Sequence, residues 1–219
     1  IGCTATDSVY LDVLDATIAQ NDTSICFGDS VELSVDGTNS SIDFGQKSSC
    51  GGQITNSYID HGDVLDMSGS FSIGGWVYNN GCDYTTIISK REGNSPYNGF
   101  HLSYENQGNF EFVIHENWGN GGPQSIVGTP AISNEWVHIV AVFNAGNSIK
   151  LYLNGALVAS ENTTISSLLN NNAPFLIGSL QTPGSWSWDG KLDDIFIYDK
   201  ALTSGEINTI YSGATMPVN

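Results

Sequence analysis

The feature that most constrains the fold is a succession of strand-length apolar segments separated by glycine, asparagine and aspartate. Residues 135–143 carry apolar side chains at both odd and even positions, which predicts a central strand covered on both sides. Residues 149–153 alternate apolar and polar side chains, which predicts a half-exposed strand. Asn154-Gly155 then supplies a type I′ hairpin turn. Further strands are predicted at residues 71–78, 86–90, 99–104, 109–114, 156–158, 174–178 and 192–198. The succession predicts an all-β domain.

One helix is predicted, after the last strand. Thr203 and Glu206 have the spacing of a capping box, in which each side chain satisfies a backbone N–H of the first helical turn. Ile207, Ile210 and Tyr211 follow at helical spacing. We expect a short helix that covers part of the β-structure.

The charge of the chain excludes one class of partner. With 23 acidic and 6 basic residues, the net charge of the 219-residue chain is −17. Such a field repels phosphate backbones and anionic membrane surfaces, so neither nucleic-acid binding nor membrane insertion is expected. The carboxylates serve either solubility or Ca²⁺ binding. The sequence shows no signal peptide, so we expect any export signal elsewhere in a longer parent protein.

Residues 1–38 differ from the rest of the chain, since they carry seven acidic residues and no basic one. Two short strands are predicted there, at residues 9–13 and 31–35, and two strands cannot form a core of their own. Residues 2–9 and 25–33 resemble the last and first strands of bacterial immunoglobulin-like or PKD-like repeats, which occur in secreted adhesins. We therefore predict a partial repeat segment or linker strands at 1–38 and one domain at 39–219.

Four segments of the larger domain resemble a known family when they are taken in order. These are residues 69–77, 135–140, 149–155 and 190–198. Together they are similar to the laminin-G-like, concanavalin A-like lectin jelly roll, and the resemblance extends from about residue 40 to the end. It implies an all-β, two-sheet antiparallel jelly-roll sandwich with one short C-terminal helix.

The cysteines favour disulfides over zinc, because no C-x-x-C pair or histidine cluster accompanies them. The four are Cys3, Cys26, Cys50 and Cys82. Of three possible connectivities we favour Cys3–Cys26 and Cys50–Cys82, because each joins neighbours along the chain.

The resemblance also implies a structural Ca²⁺ site. In jelly rolls of this type, an aspartate at the position of Asp193 often helps to bind the ion. Since Ca²⁺ takes six to eight oxygen ligands, Asp60 and the carbonyl of Ser70 are expected to complete the shell. Strand alternation places Asp194 on the opposite face. The alternative is that Asp193 only caps a turn.

Aromatic residues in glycine- and asparagine-rich loops are the ligand-binding candidates, because a flat ring can stack on a sugar and amides can bind its hydroxyls. The candidates are Trp118 with Asn117 and Asn120, and Trp186 and Trp188. The alternative is that each Trp folds back to seal the sandwich edge, and for Trp188 we favour this. Trp76 and Trp136 lie in strands and are predicted in the core.

No enzymatic motif is present. Glycosidases of this architecture carry paired carboxylates on one strand, whereas Glu105, Glu111 and Glu116 are dispersed and Glu111 stands alone in its strand. The four histidines show no metal-binding spacing, and His101 and His138 are expected in core or sheet-face positions.

The sequence thus predicts a non-enzymatic, extracellular binding module of a bacterial secreted or surface adhesin. We expect it to act as a monomeric domain that binds a glycan or glycoprotein with Ca²⁺ support. Two alternatives stay open: a structural or protein-interaction spacer, and a glycoside hydrolase. A cleft lined by Trp118 or Trp186 favours glycan binding, whereas a smooth, packed face favours the spacer.

Overall fold

The computed structural model describes residues 42–44, 58–105, 108–181 and 186–213. The chain separates into two units between Ser40 and Ser41. The repeat-like segment predicted at residues 1–38 lies outside the described residues, so that interpretation stays a prediction.

The described residues of the larger unit form two antiparallel sheets of six strands each. Sheet 1 has the order β1 (Ile42–Asp43), β12 (Gly190–Tyr198), β3 (Phe71–Asn79), β8 (Trp136–Asn144), β9 (Ser148–Leu153) and β10 (Ala156–Asn162). Sheet 2 has the order β2 (Ile59–Asp60), β11 (Leu176–Ile177), β4 (Thr85–Arg91), β5 (Tyr97–Glu105), β6 (Asn109–Trp118) and β7 (Gln124–Pro130). The predicted two-sheet jelly-roll sandwich is confirmed.

The core lies between the two sheets and is rich in phenylalanine. Phe71 of sheet 1 contacts Phe100 of sheet 2, with the ring centroids 4.6 Å apart, and meets the edge of Phe112 at 6.1 Å. All three are essentially inaccessible to solvent. Aromatic pairs in such offset and edge-on arrangements stabilise a core beyond their buried area, so these contacts fix the two sheets against each other.

The predicted helix is confirmed as α1 (Ser204–Tyr211). Thr203 is its N-cap and forms the complete capping box with Glu206. Ile207 is fully buried in a second apolar cluster on the outer side of sheet 1, where it joins Val140 and Tyr152. The helix therefore covers part of sheet 1 as expected, and β8 is covered on both sides there.

Two details of the strand prediction depend on local geometry. Asn154 and Gly155 have φ angles of 49° and 80° and join β9 to β10, as the type I′ turn requires. Strand β7 was not predicted, because its sequence contains a glycine and ends in a proline.

Among the described residues, no helix has the length and apolar character needed to cross a membrane.

The predicted core position of Trp136 is wrong. Trp136 is 38% exposed and Tyr78, opposite it in register, is half-buried, so this end of sheet 1 faces solvent. Trp76 is also half-buried and lies on the outer side, against His138 and Tyr211. Both tryptophans lie on the outer face of sheet 1, opposite to the face that carries the core residues Ile73 and Val77.

Candidate functional site

The outer face of sheet 2 carries polar side chains on two adjacent strands. On β5, Phe100, Leu102 and Tyr104 point into the core, so the alternate residues lie on the outer face. The register of β5 with β6 pairs Ser103 with Glu111 and Gly99 with His115. We call this surface the polar face; its members on β4, β5 and β6 are Arg91, His101, Ser103, Glu105, Glu111 and His115.

An aromatic cluster lies at one end of the polar face, and we define it as Tyr97, His115 and Trp118. The centroid of the Trp118 ring is 5.3 Å from that of Tyr97 and 5.4 Å from that of His115. Trp118 is 39% exposed, whereas His115 is only 2% exposed. The cluster therefore presents an accessible indole above a buried imidazole.

Arg91 completes this end of the face. Its guanidinium carbon lies 4.4 Å from the centroid of the Tyr97 ring, a cation–π geometry. Its Nη1 donates a 2.9 Å hydrogen bond to Oε1 of Gln181. These two contacts hold a positive charge beside the aromatic cluster.

A tight turn after β6 positions Trp118. Asn117 has a φ of 51°, and its backbone N–H donates a 2.7 Å hydrogen bond to Oδ1 of Asn98. The carbonyl of Asn117 accepts hydrogen bonds from the N–H groups of Asn120 and Gly122. Asn117, Trp118 and Asn120 thus belong to one hydrogen-bonded turn, and their role as ligand-binding residues stays a prediction.

His101 and His115 form a stacked pair on the polar face, with ring centroids 5.7 Å apart. Neither ring nitrogen of His115 has a hydrogen-bond partner, and Nδ1 of His101 also has none. Burial, with a smaller contribution from Arg91, lowers the pKa of His115 to about 4 and that of His101 well below its ordinary value. Both imidazoles are therefore neutral at pH 7.

The histidine pair predicts a loss of stability in acid. The unfolded imidazole of His115 takes up a proton near pH 6.5, whereas the folded one does so near pH 4. Its stabilising effect is therefore complete above about pH 6.5 and is lost as the pH falls. The parent protein should lose stability between about pH 7.5 and pH 4.5. We expect this loss to be smaller in His115→Gln by on the order of 2 kcal/mol, measured by urea unfolding.

Two groups modify this expectation. Burial raises the pKa of Glu105 above its ordinary value, which opposes the histidine effect, because such a carboxyl favours the folded state on acidification. His138, on sheet 1, has its pKa lowered to about 4 by burial and retains its own acid sensitivity in the variant. An unchanged pH dependence in the His115→Gln variant would contradict the neutral, buried state of His115.

Glu105 and Glu111 lie closer together than their sequence positions indicate. They lie on the same face of the adjacent strands β5 and β6. Glu111 pairs with Ser103, and Glu105 is the next residue on that face of β5. Burial is the main cause that raises the pKa of each, and the charge of Glu111 adds to the rise for Glu105. The Ser103 hydroxyl donates to Glu105 at 2.7 Å. The two carboxylates, which are dispersed in the sequence, therefore share one face of sheet 2 on adjacent strands.

An open cavity of about 430 Å³ lies beside the aromatic cluster, and we call it the amide cleft. Its polar lining consists of Glu92, Asn94, Ser95, Asn98, Asn172 and Gln181. The side chain of Gln181 accepts a hydrogen bond from Arg91, and the side chain of Asn98 accepts one from the turn that carries Trp118. The cleft and the aromatic cluster are therefore adjacent. Trp118 and Trp186 themselves do not line it.

The two remaining candidate tryptophans differ from each other. Trp188 is completely buried in the core, and its indole N–H donates to the carbonyl of Lys191 at 3.3 Å. Its assignment as a ligand-binding residue is therefore wrong, and the alternative that it folds back is confirmed. Trp186 is half-buried, with its ring centroid 5.0 Å from that of Tyr84. It stays a candidate at a different position from the aromatic cluster.

The proposed calcium ligands lie on different parts of the sandwich. Asp193 belongs to sheet 1 and Asp60 to sheet 2, and each carboxylate accepts a local backbone hydrogen bond. The hydroxyl of Ser70 accepts from the N–H of Ala145. A bulge follows Asp193, and Asp194 has a φ of 48°, so regular alternation does not hold there. No group of three histidine, cysteine or acidic residues within the described ranges is arranged to hold a metal.

Cys82 is buried at 5% exposure. Cys3, Cys26 and Cys50 lie outside the described residues. The two predicted disulfides therefore stay predictions.

The arrangement of two packed six-stranded antiparallel sheets defines a jelly-roll sandwich. A family model described as the concanavalin A-like lectin/glucanases superfamily matches residues 51–208. The chain belongs to this superfamily. No curated protein matches it by sequence.

Several solved structures are similar in fold. The binding domain of Paraclostridial Mosquitocidal Protein 1 aligns with a TM-score of 0.61 and 20% identity, covering 82% of this chain and 45% of that one. The binding domain of botulinum neurotoxin serotype G gives 0.58 and 17%, covering 78% and 42%. The ligand binding domain of botulinum neurotoxin serotype D, solved with N-acetylneuraminic acid, gives 0.56 and 18%, covering 73% and 40%. The chain thus spans less than half of each of these proteins.

Proposed function

We propose that this domain is a non-enzymatic glycan-binding module and that the aromatic cluster on the polar face is its binding site. The observation that carries the proposal is the exposed Trp118 ring, which contacts Tyr97 and His115 on the outer face of sheet 2, with the guanidinium of Arg91 over the Tyr97 ring. An exposed indole in a defined turn offers a flat apolar surface on which a sugar ring can stack.

The chemistry of the cluster suits a sugar. The face of a pyranose ring is apolar and stacks on an indole, while its hydroxyls donate and accept hydrogen bonds. The guanidinium of Arg91, which lies over the Tyr97 ring of the same cluster, offers donors for such bonds. The similar neurotoxin structure that was solved with N-acetylneuraminic acid supports the same class of ligand.

A glycan array tests the proposal. We expect the domain to bind a restricted set of glycans, and a Trp118→Ala variant on the same array to lose those signals. Absence of binding to any glycan would contradict the proposal and favour the structural spacer, for which no exposed cluster is needed.

We further propose that the domain acts outside the cell, as part of an adhesin or another secreted binding protein, and as a monomer within a longer chain. The strongly acidic composition and the resemblance of residues 2–9 and 25–33 to adhesin repeats support this proposal. The similar structures are named as the binding domains of a botulinum neurotoxin and of a mosquitocidal protein, which supports a binding role. Fractionation of the producing cells would test the location directly.

Glu105 and Glu111 favour a second candidate function, glycoside hydrolysis. Two carboxyl groups with raised pKa values on one face are the groups that such a reaction needs, one as acid and one as base or nucleophile. Incubating the array-positive glycans with the protein and with a Glu105→Gln variant, followed by a reducing-end assay, separates the two functions. We expect no release of reducing ends by either protein, and release by the parent alone would establish the hydrolase.

Calcium support stays a proposal of its own, in which Asp193 of sheet 1 and Asp60 of sheet 2 are ligands. If Asp193 is a ligand, Asp193→Ala will lower the melting temperature in Ca²⁺ and leave it unchanged in chelator, because the ion binds only the folded state. An equal decrease in both solutions would exclude this role. Scanning calorimetry with and without EDTA measures both values.

A further inference from the structure

The amide cleft borders the proposed glycan site but is not part of the aromatic cluster. Its lining offers side-chain amides and a hydroxyl, which can both donate and accept hydrogen bonds. Its carboxylate, Glu92, already accepts a 2.7 Å hydrogen bond from Asn98. Asn94 and Asn172 are exposed to solvent. A lining of this kind suits a neutral, hydroxyl-rich molecule better than an ion or an apolar group.

The position of the cleft relative to the cluster is fixed by short contacts. Asn98 holds the backbone of Asn117, the residue before Trp118, and Gln181 holds Arg91 over Tyr97. Gly119 approaches Ser95 so closely that a Cβ at this position would overlap its hydroxyl. The turn that carries Trp118 therefore packs directly on the loop that lines the cleft.

From this continuity we infer that the site binds an oligosaccharide rather than a single sugar, with one ring on Trp118 and the following unit in the amide cleft. The inference rests on the proposed glycan-binding function and specifies its ligand class. Gln181 lies between the two subsites, because its side chain lines the cleft and also bonds the guanidinium beside the cluster. It is thus a positioning residue for a ligand that spans both.

A size-graded array tests this inference. The probes are gluco-, galacto- and N-acetylglucosamine oligosaccharides of one to about six units, each immobilised at its reducing end through the same linker, with the parent protein and two variants as analytes. We expect affinity to rise by at least about tenfold from one unit to two, since the second unit adds the contacts of the amide cleft. Asn172→Ala, in the cleft, should reduce this gain and leave single-sugar binding unchanged. Trp118→Ala should weaken binding at every length.

The outcomes separate the inference from the proposed function. Binding that Trp118→Ala abolishes, but that neither rises with chain length nor responds to Asn172→Ala, overturns the two-subsite ligand and leaves the glycan site intact. Binding to no probe of this series overturns the inference, and binding to no glycan of the full array overturns the proposed function as well. Because Asn172 is exposed, its substitution is expected to preserve folding, and the melting temperature of each variant checks this.

Discussion

Trp188→Ala is expected to lower the free energy of unfolding by about 3–5 kcal/mol, the range found when a large aromatic residue is removed from a packed core. Trp188 is fully inaccessible and belongs to the same core cluster as Phe71 and Phe100. Its loss leaves a cavity and removes the indole hydrogen bond to the carbonyl of Lys191. For a chain of this length, the corresponding decrease in melting temperature is roughly 10 °C.

Urea unfolding followed by circular dichroism measures this change. Trp188→Phe is the matched control, because it keeps an aromatic ring and removes the indole N–H, and its cost should be clearly smaller. A change below about 1 kcal/mol for Trp188→Ala, within the range of surface substitutions, would contradict the buried position. Since Trp188 contacts no ligand in this account, a variant that remains folded should keep its glycan-binding profile.

Trp118→Ala is expected to have the opposite effect, a large loss of binding with little loss of stability. Exposed tryptophans at the centre of a binding site commonly contribute about 2 kcal/mol or more, which is roughly a thirtyfold change in Kd. The ring is 39% exposed, and the turn that holds it depends on the backbone of Asn117 rather than on the indole. We therefore expect a stability change of about 1 kcal/mol or less.

Titration calorimetry with the strongest array glycan, together with urea unfolding, measures both quantities for the same variant. Trp118→Tyr is the control that retains a stacking ring, and it should recover part of the affinity. Unchanged affinity in Trp118→Ala would show that the aromatic cluster is not the site. A collapse of stability would instead assign Trp118 a structural role.

The fold was predictable because it depends on patterns that are local in sequence. The apolar strand of residues 135–143, the Asn154-Gly155 turn and the capping box of Thr203 and Glu206 each specify their own geometry. The sequence predictions were wrong at positions where a strand extends beyond the covered part of its sheet. Trp136 stands at the start of β8, outside the apolar cluster that α1 forms with sheet 1, and periodicity alone does not show this.

The site was only partly predictable, because it depends on strand register. Trp118 and its asparagines were found from their glycine-rich context, but the pairing of Tyr97 with Trp118 and of Gly99 with His115 follows from the register of β5 with β6. Alternation within each strand could have placed His101 with Glu105 on one face, and Glu111 with His115 on another. Only the register shows that these two faces are the same. Arg91 and Gln181 were missed because they are far apart in sequence and adjacent in the sandwich.

The most direct test of the central claim is the location of the bound glycan, which the indole N–H signals of the five tryptophans report in a two-dimensional ¹H–¹⁵N NMR titration. With the strongest array glycan we predict that the Trp118 signal, assigned through Trp118→Tyr, shifts in a saturable manner, while the signals of Trp188 and Trp136 stay in place. A saturable shift of Trp136 on sheet 1, with Trp118 unchanged, would contradict the account.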